Sequence, residues 1–350
     1  MKIPSIGWVS IGGFFVPKIS KKNRGMEFYI QDFIDYCHLK GLSKKTIKSY
    51  YQCLTLFSKY LEEEKNIVDV TKVSREMVED YLEFTKERGK YSYVSNNESL
   101  QQNYQANRKD FGKQISDSTL NNYLRNIKVF FNWLEENLII KNNTVSNVKF
   151  IKVKRKAKDQ ITDVEWNRLI KSIDLTKFHE FRDFTIINLI FDTGMRLTET
   201  LNLTTNDVDL IRRTILIPAE INKGKKDRVV FFSNTMAKLL NRWLRYKDSV
   251  QENDLLFPTQ RTNSILTASN FERNFRCYLA RAKIDKTITP HALRNNFARR
   301  FLIASKDIYS LSKILGHSSV TVTERAYLDL GDEDLRRSYQ NYSPLENMKK

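Results

Sequence analysis

From Glu27 onward, apolar residues recur at intervals of three and four, the spacing of one face of an α-helix. Ile30, Phe33, Ile34 and Cys37 predict a short helix, and Ile47, Tyr50, Leu54, Phe57 and Leu61 a longer one begun near Ser43. Ser74 can cap a third helix, with Met77, Tyr81, Leu82 and Thr85 along its stripe. Ser118 is read as the start of a fourth, carrying Leu120, Leu124, Ile127, Phe131, Leu134 and Leu138 on one face. Four such helices can bury their stripes against one another as a small bundle, and the aromatic residues in the stripes read as core.

The pattern is interrupted twice. Residues 90–114 are rich in Asn, Gln, Ser and Tyr without periodicity and read as an insertion loop. Residues 149–158, KFIKVKRKAK, are basic with little to bury, and directly after them Thr162 and Glu165 form a capping box for a helix holding Trp166, Leu169 and Ile170. A domain boundary near residue 155 follows. Beyond it, a long apolar helix through Phe184, Ile187, Leu189 and Ile190 stops at Gly194. Residues 215–217 and 229–232 read as two short strands joined by the polar turn at 222–227, and helices resume from about Asn234. The predicted fold is mainly α: an N-terminal helical bundle, then a mostly helical α+β domain with a small antiparallel sheet. In boundaries, residues 1–26 form a flexible or loosely docked arm and 27–150 the helical domain. Residues 151–160 are the linker, and 161–350 the second domain with a terminal tail at 331–350.

Composition narrows the partners. Lys and Arg outnumber Asp and Glu by 59 to 41, a net charge of +18, so a polyanion is expected, nucleic acid ahead of an acidic membrane surface. Cys37, Cys53 and Cys277 make no disulfide framework, and no C-x-x-C or His pair stands at metal-ligand spacing. A reducing cytoplasm fits this. The apolar stretch between Pro4 and Pro17 is too short and too glycine-rich for a membrane span, and no metal or cofactor is expected.

Four segments of the second domain hold polar groups at turns: Thr193-Gly194-Met195-Arg196-Leu197-Thr198-Glu199, Asn222-Lys223-Gly224-Lys225-Lys226-Asp227-Arg228, His291-Ala292-Leu293-Arg294 after Pro290, and Leu315-Gly316-His317 with Tyr327 ten residues on. Any one alone reads as ordinary surface chemistry. All four in this order, after a basic helical domain, resemble the tyrosine recombinase family, which includes the Xer recombinases, phage lambda integrase and transposon integrases. The resemblance covers about residue 163 to the end, and residues 27–148 more weakly resemble the family's SAM-like core-binding domain.

That resemblance implies a site-specific recombinase or integrase that cleaves and rejoins DNA through a 3′-phosphotyrosyl bond. Arg196 and Arg294 would hold the non-bridging phosphate oxygens, for which planar guanidinium forks are suited. His291 would assist proton transfer or hold the phosphate, and His317 would hydrogen-bond it. Lys223 would be the general acid for the leaving 5′-oxygen, with Lys225 and Lys226 as phosphate contacts or solvated neighbours. Glu199 would buttress Arg196. Tyr327 would be the nucleophile, a phenol of pKa about 10 that must lose its proton as it attacks.

One departure stands out. The family nucleophile lies nine residues after the second histidine, where this chain has Ala326. Either the turn at 318–321 absorbs one residue, or Ala326 marks the nucleophile position and the protein is inactive. Tyr327 is the only tyrosine of that segment, which favours the first reading.

Outside the site, Lys44, Lys45, Lys48, Arg125 and Lys128 on the first domain, and Lys154 and Arg155 in the linker, are candidates for phosphate contact. The resemblance further implies double-stranded recombination sites clamped between the two domains. It also implies a homotetramer on DNA, and a monomer or weak oligomer away from it. The rival readings are a type IB topoisomerase-like strand transferase and a DNA-binding regulator on a decayed recombinase scaffold.

Overall fold

Serine hydroxyls open most of the N-terminal helices. In the computed structural model, Ser43 Oγ accepts from the Thr46 amide at 3.2 Å, Ser74 from Met77 at 3.4 Å and Ser116 from Thr119 at 3.3 Å. The helices so capped are α2 (Lys44–Lys65), α3 (Arg75–Arg88) and α4 (Asp117–Glu136), preceded by α1 (Met26–Leu39). The structure describes residues 24–94, 108–153, 159–222, 224, 226–317 and 319–327, the backbone of 7–11 and 14–18, and isolated positions near the C-terminus. Two units are present, Met1–Arg155 and Lys156–Lys350.

In the first unit, Leu54, Phe57, Leu61, Tyr81, Leu124, Phe130 and Leu134 are fully enclosed in one core. Each such side chain contributes about 2 kcal/mol, against about 1 for a serine cap, so packing holds the bundle and the caps set where each helix begins. Two expectations are corrected. The fourth helix starts after Ser116, not Ser118, because the Ser116 hydroxyl reaches the amide three residues on while the Ile115 side chain beside it is buried. Leu138 lies beyond the end of that helix with φ of 56° and is exposed, so it is not part of the stripe.

The arm also carries regular structure that the helical reading missed. β1 (Gly7–Ile11) pairs antiparallel with β2 (Phe14–Lys18), with Ile11 opposite Phe14. The two residues between them in sequence are glycines, the composition that suits a two-residue hairpin connection.

The insertion loop is closed at its base. Lys90 donates its amide to Lys113 O and accepts from Gly112, both at 2.9 Å. Residues 90–94 then lie along α2, with Tyr93 Oη donating to Glu63 and Lys59 Nζ to Val94 O. Residues 95–107 lie outside the described residues.

The second unit begins with the Thr162–Glu165 capping box on α5 (Asp163–Lys171). α6 (Phe178–Thr193) is apolar around most of its circumference, and it is buried through Phe181, Ile186, Ile187, Leu189 and Ile190. Two carboxylates on it are buried, Glu180 and Asp183, and Asp183 is held from several sides: Arg182 donates twice to it, and Asn274 and Tyr278 each donate at 2.8 Å. This ties α6 to α9 (Ala268–Arg281).

The sheet has three strands rather than two, in the order β3 (Val208–Asp209), β4 (Thr214–Ile217), β5 (Arg228–Phe231), all antiparallel. A two-residue strand is too short to show a period, which is why β3 escaped the sequence. The polar site is formed by α7 (Leu197–Leu201), β5, α10 (Pro290–Ser305), the end of α11 (Ile308–Leu315) and α12 (Val320–Tyr327), while α8 (Asn234–Val250) packs into the apolar core. A small cluster of Ala298, Leu311 and Leu315 with Phe297 and Phe301 seats α11 on α10. No described helix is long and apolar enough to cross a membrane.

Candidate active site

Two glycines in left-handed conformation end helices at the site. Gly194 terminates α6 with φ of 68°, and a side chain there would run into the ring of Phe297. Gly316 terminates α11 with φ of 63°, and a Cβ there would lie 2.8 Å from Arg228 Cδ and 3.0 Å from its Nε. Both positions need a residue that tolerates positive φ and leaves room for a neighbour, so glycine is required twice over.

The chain past each glycine delivers a site residue. Arg196 stands at the start of α7, a quarter exposed, and donates from Nη1 to Glu199 Oε1 at 2.6 Å. Glu199 is buried and also receives a two-pronged contact from Arg228, at 3.1 and 2.8 Å. Burial alone would raise the Glu199 pKa, but the arginines, Arg228 foremost, outweigh it and hold the carboxyl below its ordinary value. One carboxylate therefore steadies two guanidinium groups.

Arg294 projects from the first turns of α10, where Thr289 caps the helix and Pro290 occupies its first position. Its side chain is buried, and it donates to Gly194 O at 2.7 Å and Leu315 O at 2.8 Å. Those carbonyls are left without helical partners at the ends of α6 and α11, so Arg294 fastens the two glycine turns together. Its Nη2 also lies 3.1 Å from His317 Nε2. The other imidazole nitrogen, Nδ1, is 2.8 Å from Thr323 Oγ1, and Thr323 is fully buried on α12.

Burial first, then the charges of Arg294, Arg196 and Arg228, push the His317 pKa down to about 4, with His291 contributing in the same direction. At neutral pH this imidazole is therefore uncharged among cationic groups.

Of the six residues assigned chemistry from the sequence, the structure brings together Arg196, Arg294 and His317, with His291 on the same helix as Arg294 but exposed. Lys223 and Lys225 lie outside the described residues. Their turn is fastened by Asn222, whose side chain donates to Lys226 O at 2.5 Å and accepts from the Gly224 amide at 3.1 Å. Tyr327 is the last residue of α12, and its side chain lies outside what is described. Two contributors were missed. Arg228 sat in a quoted segment, without any signal that its partner was Glu199 29 residues away. Thr323 had only its position four residues before Tyr327 to mark it.

The candidate phosphate contacts of the first unit separate in their surroundings. Lys44, Lys45 and Lys48 are exposed at the start of α2. Lys45 and Lys48 line a cavity of about 520 Å³ with Arg88, Lys90 and Tyr123. Arg125 is exposed on α4, which Asn126 ties to α2 through Ser49 Oγ at 3.2 Å. Lys128 is engaged, donating to Ser146 O at 2.7 Å beside the ring of Phe150. Lys154 and Arg155 lie outside the described residues. Among the described residues no cluster of His, Cys, Asp and Glu is arranged to hold a metal ion.

In this mostly helical unit, arginines cluster around a histidine next to a helix ending in tyrosine, a cationic arrangement suited to holding an anion such as a phosphate. A sequence model of the Phage integrase family matches residues 159–334, and one of the phage integrase N-terminal SAM-like domain matches 30–101. The chain belongs to the phage integrase family. It is 27% identical over 329 residues to tyrosine recombinase XerD of Staphylococcus haemolyticus, covering 91% of this chain and 99% of that one. Among solved structures, the Tn1549 transposon integrase in complex with a circular intermediate DNA superposes with a TM-score of 0.66 at 17% identity, covering 89% of this chain and 99% of that one. XerH site-specific recombinase bound to a palindromic difH substrate superposes with a TM-score of 0.64 at 21% identity, over 91% of this chain and 84% of that one. These last two likenesses establish a shared fold.

Proposed function

We propose that this protein is a site-specific DNA recombinase that breaks and reseals DNA through a covalent bond to Tyr327. The observation that carries the reading is the convergence of Arg196, Arg294 and His317, steadied by Arg228, at the foot of the helix that bears Tyr327.

In the proposed step, Tyr327 Oη attacks the scissile phosphorus and the bond to the 5′-oxygen breaks. The phenolic proton leaves toward His291, and Lys223 protonates the departing 5′-oxygen. Charge building on the non-bridging oxygens is met by Arg196 and Arg294, which are already fixed in place and so need no reorganisation. Each such donor is worth about 3 kcal/mol of barrier. The phosphotyrosyl bond conserves the energy of the broken diester, so attack by a 5′-hydroxyl from a second duplex completes strand exchange.

The partner is double-stranded DNA, contacted along phosphates by the cationic start of α2 and by Arg125. Strand exchange between two sites calls for four copies of the chain, one for each strand cut.

The test is a duplex nicked beside the cleavage position of a site mapped by the protein's own footprint. Wild type should leave an adduct that survives denaturation, and Tyr327→Phe should leave none while still protecting the site. Protection without an adduct from wild type would overturn the catalytic reading in favour of a DNA-binding regulator.

A further inference from the structure

His317 is held at both nitrogens, and the two partners differ in what they can offer. A guanidinium has only N–H donors, so Arg294 Nη2 at 3.1 Å requires a lone pair on His317 Nε2. The neutral ring then carries its proton on Nδ1, and Thr323 Oγ1 at 2.8 Å accepts it. Thr323 is fully buried, so water offers no substitute partner. Among the described residues, the titratable groups acting on the imidazole are Arg196 from the start of α7, Arg228 from β5, and His291 with Arg294 from α10. Glu199, the buried carboxylate close by, is taken up by Arg196 and Arg228.

We infer that Thr323 is the positioning residue of the site, fixing the orientation and proton placement of His317 and fastening the helix of Tyr327 to the arginine cluster. This rests on the recombinase reading above. A hydroxyl suits the task because it both accepts and donates. With Nε2 turned to Arg294, the hydroxyl accepts from Nδ1–H. Once a DNA phosphate takes over the Arg294 donor, His317 must present Nε2–H to the phosphate, and the same hydroxyl can donate to the bare Nδ1. The ring thereby changes its proton placement without losing its support.

The same contact is compatible with the ten-residue interval between His317 and Tyr327. At 3.6 residues per turn, position 327 lies about 40° around α12 from Thr323, and position 326 about 60° the other way. Thr323 is the point at which α12 meets His317, so position 327 shares that face at least as closely as position 326 does.

The test needs no DNA at its first stage. With only four histidines in the chain, long-range proton–nitrogen correlation on histidine-labelled protein can assign each ring. Wild type should show His317 protonated on Nδ1. Thr323→Ser should keep that pattern with the Nδ1 proton hydrogen-bonded, and Thr323→Val, which leaves that proton without its acceptor, should lose the hydrogen-bonded shift and the single ordered ring form. On the nicked duplex, Thr323→Val should form adduct about 10- to 100-fold more slowly, the usual cost of removing the partner that orients an imidazole. Thr323→Ser should stay close to wild type. A wild-type ring protonated on Nε2 would overturn the proposal outright, even if the valine variant failed to fold. So would equal impairment of the serine and valine variants, which is the mark of packing alone, or a valine variant with wild-type rate and ring pattern. If wild type shows the Nδ1 proton and forms no adduct, the recombinase reading fails while the placement of the proton stands.

Discussion

Arg228 grips Glu199 with two N–H bonds across 29 residues of chain, and the same carboxylate holds Arg196. Glu199→Gln keeps the shape and removes the charge, leaving two guanidinium groups facing each other with no counter-ion. A loss of about 3–5 kcal/mol is expected, as for a buried pair broken on one side, and is read from the urea midpoint. Adding Arg228→Met to that variant should recover part of the loss, because it removes one of the stranded charges. A double variant as unstable as the sum of the two singles would show that the contacts act independently.

Arg294→Lys is expected to be far from conservative. A single ammonium cannot serve Gly194 O, Leu315 O and the histidine from one position in this planar arrangement. At least one carbonyl is left unpaired, at a cost of about 1–3 kcal/mol in stability. Adduct formation should fall by about 100-fold or more, since the fork offered to the phosphate is lost. Single-turnover cleavage together with thermal unfolding separates the two effects.

The depressed pKa of His317 gives stability a pH signature. The unfolded chain takes up a proton near the ordinary 6.5, whereas the folded site resists until about 4. Stability from this group is therefore complete above about 6.5 and declines as pH falls toward 4, by about 1–2 kcal/mol allowing for solvent screening. His317→Gln should flatten that part of the profile. Identical slopes for the two proteins between pH 6.5 and 4 would contradict the assignment.

Gly41 and Gly316 share nearly the same backbone angle, with φ of 64° and 63°. A Cβ on Gly41 would meet nothing within 4 Å, while one on Gly316 would press on Arg228. Gly41→Ala should cost only the backbone strain, about 1 kcal/mol. Gly316→Ala should cost more and should also slow cleavage, because it displaces the arginine that steadies Glu199. Equal effects of the two substitutions on both stability and cleavage would sink this explanation.

The sequence exposed what depends on local chemistry. Ser43, Ser74 and the Thr162–Glu165 box mark helix starts because a hydroxyl bonds to an amide three residues away, and Gly194 marks a stop because of its own backbone angle. Arg196, His291, Arg294 and His317 were picked out by the order of their four segments together, each beside a glycine or proline turn, and not by any one local signal. Arg228 and Thr323 were not, since their partners are brought to them by tertiary folding and neither breaks a pattern where it stands. The misplaced start at Ser118 has the same origin. Two serines two residues apart offer equivalent local signals, and the burial of Ile115 coincides with the cap that is used.

The closed base of the insertion loop has a practical consequence. Gly89 and Gly112 face each other there so closely that a Cβ on Gly89 would collide with the Gly112 carbonyl, and the bonds of Lys90 to Gly112 and Lys113 seal the gap. The chain leaves and re-enters the helical unit between Lys90 and Lys113, and residues 91–94 beyond that closure lie along α2. Doubling the length of the loop costs only about 0.6 kcal/mol in closure entropy. A fluorescent or affinity module spliced in past Val94 should therefore leave the thermal unfolding of the helical unit little changed.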